Sequence, residues 1–247
     1  MGDANPPGGL PPLPPELAAA FGAATAGGRG KRERTQAALV RAAVQVFCAR
    51  GVAQATVQEV AQVADMTAAT VYNHFPSKEA LVERVAVVLA QSLCRAIAQS
   101  HAVVEDAAER MAIGQRRYIW LAAQSPPWAL LLLEMGAASP GLLEHIQKYP
   151  LADLRAGLRQ KRFRVPSEAV AMDAINGVCT MAMRRVAMGE APARHDVAAA
   201  TVVLRALGLD AADAAEVAKR PLPPLPRPET DDSPVLPRIR RRARPAA

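Results

Sequence analysis

The sequence predicts an all-α protein, and three observations carry that expectation. Half of its 247 residues are apolar but only 4% are aromatic, so the core has to be built from Ala, Val, Leu and Met. Ala and Leu propagate helices, while the aromatic and β-branched excess that a sandwich needs is missing. From Arg34 onward apolar residues recur at helical spacing, punctuated by Gly and Pro. The length suffices for one large domain or two small ones with a sizeable core.

The same composition excludes several classes. Apolar stretches such as Trp128 to Leu133 fall far short of the roughly 18 residues of a membrane span. No basic region precedes Leu17 to Ala26, so no secretory leader is expected. Cys48, Cys94 and Cys179 are odd in number and set among apolar neighbours; they read as reduced core thiols of a cytoplasmic protein. Prolines crowd the two ends, with six in residues 1–28 and eight in 211–247. Both ends are therefore expected to be disordered or polyproline-II-like tails. The second ends in Arg238, Arg240, Arg241, Arg242 and Arg244, which read as a solvated tail with some auxiliary affinity for DNA.

The formal net charge of +7 is concentrated early. Arg29, Lys31, Arg32, Arg34, Arg41 and Arg50 face only Glu33 before Gly51. Such an excess points to a polyanion, with a solvated helix face as the plain alternative. Leu39, Ala42, Ala43, Val46 and Phe47 line one face of a first helix, and Gly51 ends it. Thr56 and Glu59 form a capping box for a second, short helix with Val57, Val60, Ala61 and Ala64 inward. Asp65-Met66 is a tight turn, and Thr67 caps a third helix that Pro76 stops. Two short helices so closely joined make a helix-turn-helix. Its second helix is expected to present Thr67, Ala68, Thr70, Tyr72 and Asn73 outward, small or hydroxyl-bearing groups suited to a major groove. Tyr72, His74 and Lys78 sit where phosphate contacts would anchor it. Lys78, in a helix's first turn, opposes the dipole, a cost a phosphate would offset.

At these residues the chain resembles the tetracycline-repressor (TetR) family of transcriptional regulators. The resemblance runs from about Arg34 to Leu81. It rests on Ala43 and Phe47, Thr56-Val57, Val60-Ala61, Thr70-Val71-Tyr72-x-His74-Phe75 and Ser77-Lys78-Glu79-x-Leu81. The chain departs from the family at Asp65, where a turn Gly is usual, and at Ala69, where Gly is frequent. Asp tolerates the left-handed conformation better than most residues. The resemblance implies a homodimer on a near-palindromic duplex, a second helical domain that binds a small effector, and no cofactor. With the residue reading it gives a candidate DNA interface of Arg34, Thr56, Thr67, Ala68, Thr70, Tyr72, Asn73, His74 and Lys78.

Beyond Ser77 a long helix is expected to run to about Ser100, linking the head to further helices at 103–125, 128–136, 139–164, 167–189 and 193–208. Ala169 to Met188 is apolar nearly all round, so a partner subunit is its natural cover; in the family the last two helices pair across a two-fold axis. Gln115, Tyr118, Trp128 and Asn176 are candidate effector contacts, with core packing the commoner fate of the aromatic ones. His101, Glu105 and Glu109 would share one helical face, better read as solvated than as metal ligands. No nucleophile elbow, Walker loop or paired-carboxylate pattern appears, so an enzyme is not expected. The expected organisation is a tail (1–28), a helix-turn-helix domain (29–78), an effector and dimerisation domain (79–210) and a second tail (211–247). A cytoplasmic repressor released by a small ligand is the leading reading. The alternative is a helical ligand-binding or protein-interaction protein whose head no longer binds DNA.

Overall fold

The computed structural model describes residues 9–28 and 30–226. Among them there are helices and turns and no strands. In chain order the helices are α1 (Pro15–Ala24), α2 (Lys31–Arg50), α3 (Val57–Val63), α4 (Ala68–His74), α5 (Lys78–Leu89) and α6 (Arg95–Gln99). They continue as α7 (Ala107–Gln124), α8 (Pro126–Ala138), α9 (Pro140–Arg159), α10 (Glu168–Ala187), α11 (His195–Ala206) and α12 (Ala211–Lys219). Half of them begin where a short polar side chain satisfies an otherwise orphaned backbone N–H. Thr56 does so for α3, Thr67 for α4, Ser77 for α5, Asp106 for α7 and Asp210 for α12. Helix α7 starts at Ala107, later than the periodicity predicted, because Asp106 caps it there.

The long helix expected from Ser77 to Ser100 is present as a continuous run with one irregularity. Between α5 and α6, Ala90–Cys94 wind as a π-helical turn. Ser92 is buried in that turn and donates its hydroxyl to the Val88 carbonyl at 2.7 Å. Single π-turns inside helices recur at functional positions. The inward face of the run, Leu81, Val85, Leu89, Leu93 and Ile97, belongs to the same core as Leu39, Ala43 and Phe47 of α2. A second core joins α7, α9, α10, α11 and α12 around Met111, Leu154, Ile175, Val203 and Val217. Helix α9 continues through Pro150, which supplies no N–H to the Ile146 carbonyl one turn back.

Both ends depart from the expectation of disordered tails. Pro15 takes the first helical position of α1, where a missing N–H costs nothing. Leu17 and Phe21, one turn apart, are buried, and the Phe21 ring meets Trp128 edge-on at 4.9 Å. The Pro11 carbonyl accepts from Trp128 Nε1 at 2.8 Å, and the Pro12 carbonyl accepts from Ser125. At the other end α12 is followed by an extended leg over α7, where Arg116 donates to the Arg220 carbonyl at 2.6 Å and Arg117 to that of Pro223. Arg220 ties this leg down by an ion pair with Glu109 at 2.6 Å. Residues 1–8 and 227–247, including the arginine-rich run, lie outside the described residues.

Because α1 buries a full aromatic side chain, Phe21→Ala should lower unfolding stability by about 3 kcal/mol. Urea denaturation followed by circular dichroism measures this, and a midpoint equal to that of the wild type would show α1 to be dispensable.

Candidate functional site

Helices α3 and α4 form the expected helix-turn-helix. Thr56 Oγ1 accepts from the Glu59 N–H at 3.2 Å while Glu59 Oε2 accepts from the Thr56 N–H at 2.8 Å. That backbone bond holds the Glu59 carboxyl below its usual range, with Arg50 and Lys78 adding to the effect. The turn closes through a Met66 N–H to Ala61 carbonyl bond of 2.9 Å. Asp65 there has φ 55°, the left-handed position expected for it. Val71 and Phe75 anchor α4 in the core.

The exposed surface of α4 consists of Thr67, Ala69, Tyr72 and Asn73. Ala68, expected to face outward, instead packs half-buried against the core, and Ala69 takes the open position. The physical reason is phase: with Val71 fixed inward, the residue three before it on the helix falls on the same side. Thr70 is half-buried, its hydroxyl 3.0 Å from that of Thr67. Tyr72 is 47% exposed, high for a tyrosine in a packed head. His74 Nδ1 is buried and has no hydrogen-bond partner among the described residues.

The basic residues divide into two groups. Arg41 donates to the Thr25 carbonyl and Arg50 pairs with Glu59 at 3.3 Å, so both serve the fold. Lys31, Arg32 and Arg34 are exposed in the opening turns of α2, with Glu33 as the local acid. Cations at a helix N-terminus oppose its dipole by a few tenths of a kcal/mol each, a cost a polyanion would offset. Lys78 is half-buried and donates to the Ala53 carbonyl at 3.0 Å. This local partner supplies part of the compensation that the sequence reading left to a phosphate. The Ala53 N–H in turn donates to Glu134 of α8 at 3.1 Å, so Ala53 bridges Lys78 and α8.

A cavity of about 330 Å³ opens between the linking run and α7, α8, α9 and α10. It brings together three of the four candidate effector residues, Gln115, Tyr118 and Asn176. Trp128 is not among its walls; it is fully buried against Phe21 in the N-terminal core. Sequence reasoning missed His101, Arg110 and Asp153. His101 was expected on a helical face with Glu105 and Glu109, yet the chain turns after Ser100, and the imidazole is buried at the cavity. Its Nε2 lies 3.8 Å from Asp153, which also receives Arg110 Nε at 2.6 Å. Burial depresses the His101 pKa, against the opposing pull of Asp153. Among the described residues no group of three His, Cys, Asp or Glu side chains is placed to hold a metal ion. None of the described helices is long and apolar enough to cross a membrane.

Two family models match the chain. Residues 39–85 match "Bacterial regulatory proteins, tetR family", and residues 106–220 match "Tetracyclin repressor-like, C-terminal domain". Among solved structures, RolR in complex with resorcinol is 30% identical, with 79% of this chain and 98% of that one covered and a TM-score of 0.66. FadR from Bacillus subtilis with stearoyl-CoA (16% identity, 69% and 97% covered, TM-score 0.59) shares the fold. So does AibR with isovaleryl coenzyme A and operator DNA (16% identity, 70% and 98% covered, TM-score 0.53). No curated protein sequence matches. The chain belongs to the TetR family and is a DNA-binding transcriptional regulator, not an enzyme.

Cys94 and Cys179 line the cavity, and burial pushes their thiols up to about 11 and about 12; Cys48 is likewise raised to about 12. At pH 8 only about one thiol in a thousand or fewer would then be ionised, and the thiolate is the reactive form. Ellman's reagent should therefore label none of the three within minutes in the native protein and all three after unfolding. Rapid native labelling would contradict these environments.

Proposed function

We propose that this regulator is a cytoplasmic homodimeric repressor that binds a near-palindromic operator through α4 and is released by a small molecule in the cavity. The observation that carries the DNA reading is the open face of α4, with Thr67, Tyr72 and Asn73 exposed, beside the cationic start of α2. Thr67, with Thr70 beside it, supplies the base-edge and thymine-methyl contacts in this reading. Arg34, Thr56, Tyr72, His74 and Lys78 contact the backbone. His74 Nδ1, buried and unpartnered in the free protein, gains a partner if a phosphate seats there.

In this reading the dimer forms through α10 and α11. Val170, Met181, Met188 and Val202 are each more than half exposed on these helices and their ends, an apolar surface that association would cover. Two heads related by a two-fold axis call for half-sites about 34 Å apart, or a multiple of that spacing.

The cavity is read as the effector site because it touches two elements that connect to the head. Cys94 and Ile97 of the linking run and Leu132 and Leu133 of α8 form part of its wall, and Glu134 on α8 holds the Ala53 peptide. RolR, 30% identical, is described with resorcinol in complex. A ligand that favours one arrangement of these helices by about 1–3 kcal/mol changes operator affinity by roughly 5- to 150-fold; equal affinity for both arrangements changes nothing.

Three substitutions test this reading on duplexes selected from genomic fragments. Lys78→Ala should weaken every duplex alike and reduce the salt slope by about one, whereas Thr70→Ala should alter the preferred sequence. A changed preference in the first, or an unchanged one in the second, would reassign the contacts. Met181→Glu should shift the sedimenting species from dimer to monomer at micromolar concentration, since the interface would otherwise bury a carboxylate. A monomeric wild type would overturn the dimer.

A further inference from the structure

The polar end of the cavity carries two unsatisfied groups. Gln115, 5% exposed, spends its Nε2 on the Ile175 carbonyl at 3.3 Å, which leaves Oε1 buried and without a partner. An amide oxygen can only accept. His101, also 5% exposed, has Nδ1 buried and unpartnered while Nε2 is turned toward Asp153. A proton on Nε2, where the carboxylate attracts it, makes Nδ1 an acceptor as well. Buried polar atoms with no partner each cost roughly 1–3 kcal/mol, so two among the lining residues call for something that donates to both.

The remaining groups at this end constrain the charge of that partner. Arg110 is the cationic side chain of the wall, and it is occupied by Asp153 at 2.6 Å and by the carbonyls of Val104 at 2.9 Å and Glu105 at 3.2 Å. No cation is left over for an anionic ligand, and the Asp153 carboxylate repels one. The rest of the lining is mostly apolar, with Ile97, Met111, Leu132 and Ile146 among it. The volume of about 330 Å³ sits at the small end of ligand cavities, though a cavity about half that size already admits benzene. A coenzyme A thioester, with its nucleotide and pantetheine arm, does not fit within it.

We infer that the cavity selects a small neutral ring compound bearing two hydroxyl groups, which donate to Gln115 Oε1 and His101 Nδ1 while the ring lies against the apolar wall. This rests on the reading of the cavity as the effector site and makes Gln115 and His101 its specificity determinants. Carboxylates and acyl-coenzyme A thioesters are excluded by the same geometry.

Calorimetric titration of the full chain tests this with resorcinol, catechol, hydroquinone, the mono- and dimethyl ethers of resorcinol, benzoate and stearoyl-CoA. At least one of the three diols should bind, one per chain. If resorcinol is that diol, each methylation should weaken binding about tenfold, the loss of one hydrogen bond near 1.4 kcal/mol. Gln115→Met, close in shape, should weaken the diol about tenfold and leave the dimethyl ether almost unchanged. His101→Phe serves as the second variant, with thermal unfolding of both confirming a folded chain. The inference is overturned if no diol binds at millimolar concentration, if the dimethyl ether binds as tightly as resorcinol, or if benzoate or stearoyl-CoA binds. Operator release, measured in parallel, separates the two readings. Release by a compound lacking hydroxyls sinks the diol inference and leaves the effector site standing; diol binding without release supports the inference and removes the effector role.

Discussion

The helical run from Lys78 to Gln99 links the helix-turn-helix head to the cavity. Its first turn follows directly on α4, its buried face completes the core that α2 starts, and its far end walls the cavity. Because Leu81, Val85, Leu89 and Leu93 are almost wholly excluded from solvent, the run cannot shift at one end without repacking along its length. The π-turn at Ala90–Cys94 is the one place where its winding departs from α-helical, and Cys94 in that turn faces the cavity. A ligand acting on this turn acts on the element that positions α4. The second connection, through Glu134, Ala53 and Lys78, fixes the loop after α2 to α8. Two of the contacts that hold the head, this run and the Glu134–Ala53 bond, thus lie on elements that also wall the cavity.

Charge follows a related division. In the C-terminal half, Arg110, Arg116, Arg162 and Arg220 each meet an acidic partner, which ties α7, α9, α11 and α12 together. Burial and hydrogen bonding make these pairs structural. On the head, by contrast, Lys31 and Arg32 stand exposed at a helix start that disfavours them. Such cations destabilise the free fold slightly, a cost that the polyanion contact proposed for this surface would offset.

How much of this was legible in the sequence depended on how local the signal was. The Thr56–Glu59 box, the Thr67 and Ser77 caps, Gly51 and the Asp65 turn are all set by residues within four positions of each other, and each sits where the sequence placed it. Helix α1 was hidden because its apolar face is only Leu17 and Phe21, flanked by prolines, and its stability comes from Trp128 more than a hundred residues away. Ala68 was misassigned to the outside because a seven-residue helix gives too few turns to fix its phase. At the cavity, Gln115 and Asn176 were visible as polar residues on apolar faces. His101 and Asp153 were not, since only the fold brings them together across fifty residues, and Trp128 has its polar handle satisfied elsewhere.

Regulation by this protein requires selective recognition of DNA by a head whose posture the linking run controls. Its most direct test compares affinity for the duplex that the protein selects with affinity for a scrambled duplex of equal length and composition, at one salt concentration near physiological. A ratio of roughly a thousandfold or more is expected. A ratio near one would mean that the cationic head binds only the backbone, and it would contradict the role assigned to α4.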